Sequence, residues 1–292
     1  MANDKVFSKE NKMEKFNIYA FADEADKSID GQINAMLRNN LKGLEIRGVD
    51  GENISDISLD KAKEVKEKLD ANGLITWSIG SPIGKINITD DFAPHLDKFK
   101  HTLEIANILG SKNIRLFSFY IPKNADIYKN EVLDRMGKFL EVAKNTGINL
   151  CHENEKGIFG DTPERCLELF KALPDLKGIF DPANFVQCGV DTLKAWKLLK
   201  GNTYYMHIKD AKKDGFVVPS GFGDGNVKEI VENYIARGRK NLTMEPHLAV
   251  FDGLKNLEKE GDTSAIGEFE YESNEIAFDT ACNTFKKLLG EL

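Results

Sequence analysis

Four segments of the chain each place one side chain of a metal-ligating type directly after a short apolar run. They are Glu153 in INLCHENE, Asp181 in KGIFDPANF, His207 in YYMHIKD and Glu245 in LTMEPH. Each apolar run is typical of a buried strand, and the four side chains recur at about the spacing of one strand plus one helix. Three carboxylates and one imidazole without a thiolate suit Mn²⁺, Mg²⁺ or Co²⁺, and Zn²⁺ also accepts them. The pattern predicts one divalent metal site.

Taken singly, each of these residues has an ordinary structural explanation. Asp181 and Glu245 precede prolines, as is common in turns, while Glu153 could be a solvated strand end and His207 a buried core histidine. The metal interpretation is favoured because all four occupy the same place in successive strand–helix units. The carboxyl ends of parallel strands meet at one edge of the sheet, so side chains at these positions converge.

The same alternation of strands and helices runs through the rest of the chain. Strands are predicted at 16–21, 41–47, 74–80, 113–119, 148–154, 177–182, 203–209 and 241–246. Helices are predicted at 31–40, 58–72, 95–109, 131–146, from 161 onward, 192–200, 227–237 and 275–289. Eight units favour a closed (β/α)₈ TIM barrel of the α/β class over an open doubly wound sheet. We expect one barrel domain over residues 16–292, preceded by a disordered or extended tail over residues 1–15.

Two long loops follow predicted strands at 220–226 and 249–273. Such loops lie at the mouth of a barrel, where substrate covers are usually built, so we expect both to close over a bound substrate. The glycines of the first loop would supply flexibility, and Phe222 or Phe251 an apolar lining. The alternative for the second loop is a subunit interface in a homo-oligomer.

The composition restricts the partners of the protein. A formal charge of −7 at pH 7 and a pI near 5.4 describe an acidic surface that repels a nucleic acid backbone. The four cysteines show no paired spacing, and the polar start of the chain does not resemble a secretory segment. No apolar run approaches the roughly 20 residues that cross a bilayer. We expect a cytoplasmic protein with a small-molecule partner, and no contact with nucleic acid or membranes.

In HENE, FDPAN, HIKD with the following PSGFGDG, and MEPH, the sequence resembles the xylose isomerase-like TIM barrel superfamily, the sugar phosphate isomerase/epimerase family. The resemblance covers nearly the whole chain from about residue 16. It implies that Glu153, Asp181, His207 and Glu245 bind one divalent metal ion and that the two glutamates also act as acid and base. It further implies a role in carbohydrate metabolism, since the family includes ketose epimerases, isomerases and inositol-pathway dehydratases.

The predicted residues suit proton transfer beside a carbonyl group. Such a reaction passes through an enediolate, whose charge a metal ion neutralises while two carboxylates remove and return the proton. We therefore expect an isomerase or epimerase acting on a sugar, sugar phosphate or keto-sugar. The serious alternative is a dehydratase or lyase acting on a keto-sugar or keto-inositol, including one that cleaves oxidised carbon-linked glycosides, because proton abstraction can also precede loss of a leaving group.

Two further function classes are disfavoured. A DNA-repair endonuclease of the same fold has a metal site rich in histidine, and this chain contains only five histidines in all. The acidic surface of this chain would also repel DNA. A sugar-binding protein without catalysis would not need two glutamates at a metal.

Three positions depart from the ketose epimerases of this family. Asn184 stands where those enzymes carry a histidine, Lys213 where they carry an arginine, and Phe159 where they carry another glutamate, with Glu155 nearby. These departures argue against a free-ketose epimerase of that narrow kind. Residues expected to contact the substrate are Lys209, Glu155, Asn184, Lys213, Trp77 and His247.

Two interpretations concern the barrel interior. Glu45 and Arg47 alternate on the second strand, so we expect both to point inward, and a structural pair is favoured over contact with the substrate. His152 is adjacent to Glu153 and must point to the opposite face of its strand, which favours a packing role or a role supporting a ligand residue.

Overall fold

The computed structural model describes residues 16–122, 125–251, 266 and 269–290. The predicted tail over residues 1–15 lies outside these residues, and so does most of the predicted loop 249–273. Among the helices that the structure describes, none combines the length and the apolar character needed to cross a membrane.

Eight parallel strands form a closed barrel in which each strand is hydrogen-bonded to two neighbours. They are β1 (Asn17–Ala20), β2 (Gly43–Ile46), β3 (Ile75–Ile79), β4 (Asn113–Leu116), β5 (Asn149–Glu153), β6 (Lys177–Phe180), β7 (Thr203–Ile208) and β8 (Asn241–Met244). Successive strands pair in chain order, and the ring closes because Ala20 of β1 aligns with Leu44 on one side and with Met244 on the other. The predicted strands and the closed barrel are confirmed, although each strand is shorter than predicted.

Helices follow the strands and cover the outside of the barrel. They are α1 (Ile29–Arg38), α2 (Leu59–Ala71), α3 (Phe92–Leu109), α4 (Lys129–Ala143), α5 (Pro163–Ala172), α6 (Thr192–Leu199), α7 (Val227–Ala236) and α8 (Asn274–Gly290). Local sequence determines several boundaries. The Ser58 side chain accepts a hydrogen bond from the Lys61 amide and begins α2, while Gly110 ends α3 in the left-handed region at φ 71°. Thr162 caps α5, and Pro163 occupies its first position.

Apolar side chains fill the space between helices and barrel. Phe99 of α3 and Phe139 of α4 pack with ring centroids 4.8 Å apart, and Phe119 stacks on Phe139 from the loop after β4. Strands β2 and β4 are buried at every residue because the helices cover their outer faces and the barrel encloses their inner faces. This packing fixes the strand ends from which the candidate site is built.

A short helix that the sequence analysis did not predict follows β6 and spans Pro182–Gln187. The Asp181 carboxylate caps it, accepting a hydrogen bond of 2.9 Å from the Asn184 amide. Six residues are too few for a periodic pattern to be recognised.

Candidate active site

The structure brings the four predicted ligands together at the carboxyl ends of β5, β6, β7 and β8. Glu153 is the last residue of β5, Asp181 and Glu245 directly follow β6 and β8, and His207 lies near the end of β7. Each residue offers one ligand atom to a group whose atoms all lie within 4.8 Å of one another, and all four are buried. A group of this size could hold a single metal ion.

His207 lies between two sets of carboxylates. Its Nδ1 is 2.9 Å from Glu153 Oε1 and 3.5 Å from Glu245 Oε2, whereas its Nε2 is 3.1 Å from Glu45 Oε2. Burial by itself would lower the pKa of His207, but Glu153 and Glu45 outweigh burial and raise that pKa well above its ordinary value. Without a metal ion, the imidazole is therefore a cation bridging both sets.

Two further cations contact the same ligands. Lys209 Nζ lies 3.0 Å from Asp181 Oδ2 and 3.0 Å from Glu245 Oε2. Arg115 Nη1 lies 3.2 Å from Glu153 Oε2 and 3.4 Å from Glu245 Oε1. Arg115 therefore touches both glutamates that the sequence predicts as acid and base.

Arg115 was missed by the sequence analysis, although an arginine in the middle of the apolar strand NIRLF was a usable signal. A charged residue there must lie inside the barrel and must find partners, because a buried unpaired charge is very costly. Its Nη2 also donates to the Gly80 carbonyl oxygen at 3.1 Å, and its guanidinium lies 4.9 Å from the centre of the Phe21 ring. These contacts hold it in one position.

The predicted pairing of Glu45 with Arg47 is wrong, although both residues are buried. Arg47 binds Asp23 through two hydrogen bonds of 2.9 and 3.0 Å and also contacts Glu24. Glu45 instead accepts a hydrogen bond from Tyr205 and contacts His207. A short 3-10 helix after β1, Ala22–Glu24, brings these two acidic residues to the guanidinium, and spacing along β2 alone could not reveal this.

Arg47 also contacts a second group of residues that could hold a metal ion, which is formed by Glu24, Glu245 and His247. The guanidinium lies 3.1 Å from Glu24 Oε1 and 3.2 Å from Glu245 Oε1. It therefore already supplies positive charge between these two carboxylates.

The charges of the whole network fit one divalent cation. Three permanent cations face six carboxylates, which are Asp23, Glu24, Glu45, Glu153, Asp181 and Glu245. Burial and the neighbouring carboxylates raise the pKa of Glu24 to about 8 despite Arg47, and they raise the pKa of Asp181 despite Lys209. Asp181 Oδ2 is buried and accepts no hydrogen bond of good geometry, although Lys209 lies beside it. A divalent cation would offset the excess charge and occupy this oxygen.

Four of the predicted substrate contacts lie in or beside this network. Asn184 is buried, and its side-chain amide donates to Glu153 Oε1 at 3.3 Å. Glu155 lies just beyond β5 and pairs with Lys85 at 3.1 Å. His247 follows β8 in the left-handed region at φ 47°, and its backbone N–H donates to Glu24. The fourth, Lys209, is the buried lysine described above.

Two predicted substrate contacts are corrected. Trp77 stacks on Tyr19 with ring centroids 4.6 Å apart and lines a cavity with Leu74 and Gly110, which lie before β3 and before β4. Trp77 is the middle residue of β3, and the residues that share this cavity place its ring towards the amino end of the barrel, away from the ligands. Lys213 lies in the turn between two short strands, Asp210–Ala211 and Val217–Val218, with its side chain exposed. Neither position supports contact with a substrate at the buried ligands.

The loop 220–226 is held more firmly than the sequence analysis expected. The backbone N–H groups of Gly221, Gly223 and Gly225 all donate to the Asp210 carboxylate, at 2.9, 3.1 and 2.9 Å. A Cβ at Gly223 would lie 2.3 Å from Asp210 Oδ1, so this glycine permits a close approach. Phe222 is 65% exposed, whereas Phe251 is buried with its ring centre 4.7 Å from the Arg47 guanidinium. Of the two, Phe251 is the one that covers the network.

His152 has the packing role that its position predicts. It is fully buried, and its Nε2 lies 2.9 Å from Ser118 Oγ. Burial lowers the pKa of His152 to about 3, so this imidazole is neutral.

Solved structures with the same fold include three of related size. The probable 3-DHS dehydratase AsbF of Bacillus anthracis superposes with a TM-score of 0.70 at 16% identity, covering 92% of this chain and 98% of its own. The 3-keto-D-glucoside 4-epimerase YcjR of E. coli gives 0.67 at 15% identity, covering 94% and 98%. The IolI protein with a bound zinc atom gives 0.71 at 14% identity, covering 94% and 98%.

Sequence comparison agrees with this fold. None of the curated proteins matches the sequence significantly. The model of one protein family matches residues 34–247, which contain seven of the eight barrel strands, and that family is described as the xylose isomerase-like TIM barrel. The chain belongs to the xylose isomerase-like TIM barrel family.

Proposed function

We propose that this protein is a divalent-metal-dependent isomerase or epimerase that acts on a small carbohydrate carrying or forming a carbonyl group. Glu153, Asp181, His207 and Glu245 would hold the ion, and the two glutamates would move the proton. A cation held there supplies positive charge beside the anion that forms when a proton leaves the carbon next to a carbonyl. Mn²⁺, Mg²⁺ and Co²⁺ suit the oxygen-rich ligands best, and Zn²⁺ is compatible with them.

The single observation that carries this proposal is the convergence of two buried glutamates on the same point from different strands. Glu153 from β5 and Glu245 from β8 both contact Arg115 Nη1 and both face His207 Nδ1. Two carboxylates in this arrangement can remove a proton from one carbon of a bound substrate and deliver one to the same or the next carbon. A structural ion pair would need only one carboxylate.

The surrounding side chains keep Glu245 ionised and hold Glu153 in place. Burial opposes ionisation of Glu245, but Lys209 and His207 outweigh burial, so the pKa of Glu245 lies well below its ordinary value. Glu245 is therefore ionised, which both metal binding and proton acceptance require. The side-chain amide of Asn184 donates a hydrogen bond to Glu153 Oε1 and so helps to fix the position of this carboxylate. The burial of all these groups excludes water, which would protonate an enediolate at the wrong place.

A dehydratase or lyase is the second candidate, and Lys209 is the observation that favours it. This buried ammonium lies 3.0 Å from both Asp181 and Glu245. Burial would lower the pKa of Lys209, but Asp181 and Glu245 raise it overall, so the group stays protonated. It can donate a hydrogen bond to a departing hydroxyl group while a protonated glutamate supplies the proton. The fold shared with a dehydratase is compatible with this chemistry.

One experiment separates the candidates. The metal-loaded protein is incubated with sugars and keto-sugars in deuterated water, and the products are analysed. Deuterium in an isomeric product indicates an isomerase or epimerase, whereas a new ultraviolet-absorbing enone indicates a dehydratase. Conversion that persists at the same rate after complete removal of metal would contradict both candidates.

A further inference from the structure

A line of hydrogen bonds crosses the barrel interior below His207. Ser78 Oγ lies 3.2 Å from the Tyr205 hydroxyl, which donates to Glu45 Oε1 at 2.7 Å. The other oxygen, Glu45 Oε2, lies 3.1 Å from His207 Nε2. All four side chains are completely buried. None of this was expected from the sequence, which assigned Glu45 to a pair with Arg47.

A carboxylate at this depth needs an explanation. Tyr205 packs with Cys151 and Ile179 in an apolar cluster at this level of the barrel, where an apolar side chain in place of Glu45 would avoid the cost of burying a charge. Glu45 does not belong to the group of four ligand atoms. It contacts His207 through Nε2, whereas Glu153 and Glu245 face Nδ1. Glu45 therefore acts on the site through His207.

The directions of the hydrogen bonds determine the state of the imidazole. A carboxylate can only accept hydrogen bonds, and Tyr205 already donates to one of its oxygens. Nε2 must therefore carry the hydrogen that Glu45 Oε2 accepts. A histidine that binds a metal offers the lone pair of one nitrogen and donates the hydrogen of the other. The nitrogen left for a metal is Nδ1, which is the one facing Glu153 and Glu245.

We propose that Glu45 is a positioning residue that holds His207 with its hydrogen on Nε2 and so presents Nδ1 to the metal ion. Tyr205 holds Glu45 in turn, and Ser78 contacts the Tyr205 hydroxyl. This inference rests on the proposed function only in assuming that the four residues bind a metal ion. It adds a residue that touches neither the ion nor the substrate and yet sets the affinity for the ion.

The test measures metal binding and the state of His207 without any substrate. The Zn²⁺-loaded protein is labelled with ¹⁵N-histidine, and the two ring nitrogens of His207, identified by their loss in His207→Asn, are assigned by nuclear magnetic resonance. We expect a hydrogen on Nε2 and metal on Nδ1. Metal on Nε2 overturns the proposal, and this result needs no variant at position 45.

A second measurement compares the affinity for Zn²⁺ by competition with a chelator. Glu45→Gln keeps the size of the side chain and removes its charge, and we expect a loss of about 10- to 100-fold, the usual effect of removing such a partner. Tyr205→Phe should give a smaller loss, because Glu45 remains. The control is Thr243→Val, since Thr243 is fully buried, is the register partner of His207 on β8, and has no hydrogen-bond partner for its hydroxyl among the described residues. Its affinity should match that of the native protein.

The outcomes separate this inference from the proposed function. If Asp181→Asn abolishes Zn²⁺ binding but Glu45→Gln binds as tightly as the native protein, the positioning role is wrong and the metal site stands. If the native protein binds no Zn²⁺ at these residues, the metal site itself is wrong. If Glu45→Gln fails to fold, Tyr205→Phe decides by the same comparison, and an affinity equal to the control overturns the role.

Discussion

The two ends of the barrel interior contain different kinds of side chain, aromatic at the amino end and charged at the carboxyl end. At the amino end, Trp77 stacks on Tyr19 at an angle of 4° and contacts Tyr205 edge to face at 5.7 Å. At the carboxyl end, the interior contains carboxylates, arginines, a lysine and a histidine in direct contact. The same eight strands thus enclose an aromatic floor, formed by Tyr19, Trp77, Tyr204 and Tyr205, and a charged mouth.

The aromatic end contributes mainly to the stability of the fold, and the charged end to the proposed function. Stacked aromatic rings bury a large apolar area and stabilise the fold without needing partners for charge. Buried charged groups contribute little net stability, because the cost of removing them from water offsets much of their attraction. The charged residues of the mouth are therefore explained by a role in catalysis, and the aromatic residues of the floor by packing. Substitutions at the mouth should lower turnover more than stability, and substitutions at the floor should do the reverse.

The largest effect is expected from the two glutamates at the mouth. Glu153→Gln and Glu245→Gln keep the shape of the side chain but remove the base, so turnover should fall by at least about a hundredfold. The thermal unfolding midpoint should change little. The control is Glu141→Gln, an exposed position on α4. Turnover is measured with the substrate identified in deuterated water, and full activity in either variant would remove that glutamate from the chemistry.

The floor should show the reverse pattern. Trp77→Ala removes the ring that contacts Tyr19, Tyr204 and Tyr205, and should lower the free energy of unfolding by about 3 kcal/mol. Metal content should not change. Urea unfolding and elemental analysis of the same preparation test this. A variant with native stability but a raised KM would return Trp77 to the substrate site, as the sequence analysis expected.

A smaller effect is expected in the loop 220–226, which is held by hydrogen bonds from backbone N–H groups to the Asp210 carboxylate. Gly223→Ala places a Cβ against the Asp210 carboxylate and the Ala211 carbonyl oxygen, and should lower the free energy of unfolding by about 1–3 kcal/mol. Gly201→Ala is the control, because a Cβ there would have no atom of the described residues within 4 Å. Equal unfolding midpoints for both variants would show that the loop tolerates the added atom and is not held by Asp210.

The smallest expected effect is a dependence on pH at the rim of the mouth. His95 Nε2 accepts a hydrogen bond from the Gly84 amide, and burial lowers the pKa of His95 to about 4. The unfolded chain, with a histidine pKa near 6.5, then binds more protons between these values. The stability contributed by neutral His95 is complete above about pH 6.5 and is lost as the pH falls towards 4.

This prediction is checked by urea unfolding at pH 7.5 and 4.5. His95→Gln should lose less stability than the native protein over this interval, by on the order of 1 kcal/mol. Other acid-sensitive groups are shared by both proteins and cancel in the comparison. An identical loss in both proteins would mean that His95 does not resist protonation in the fold.

The sequence predicted the barrel and the convergence at its mouth for a physical reason. Strand and helix periods are local, and residues at strand ends such as Glu153 and Asp181 are brought together by the parallel arrangement itself. The partners of Arg47 were predicted wrongly because Asp23 and Glu24 reach it from a short 3-10 helix that follows β1, which no pattern along β2 could indicate. Tyr205 and Glu45 are far apart in sequence, so their contact has no local signal. Trp77 was predicted at the substrate site because a sequence pattern gives the order of residues within a strand. The pattern does not show how far each residue lies from the carboxyl end of the barrel.

The central claim is that one divalent ion binds between Glu153, Asp181, His207 and Glu245. The direct measurement is to strip the protein with a chelator, titrate it with Mn²⁺ and determine the number of ions bound per chain. We predict one tightly bound ion in the native protein and in the exposed control Asp175→Asn, and a large loss of occupancy in Asp181→Asn and His207→Ala, because each removes a donor. Native occupancy in both site variants, or no tight binding by the native protein, would contradict the claim.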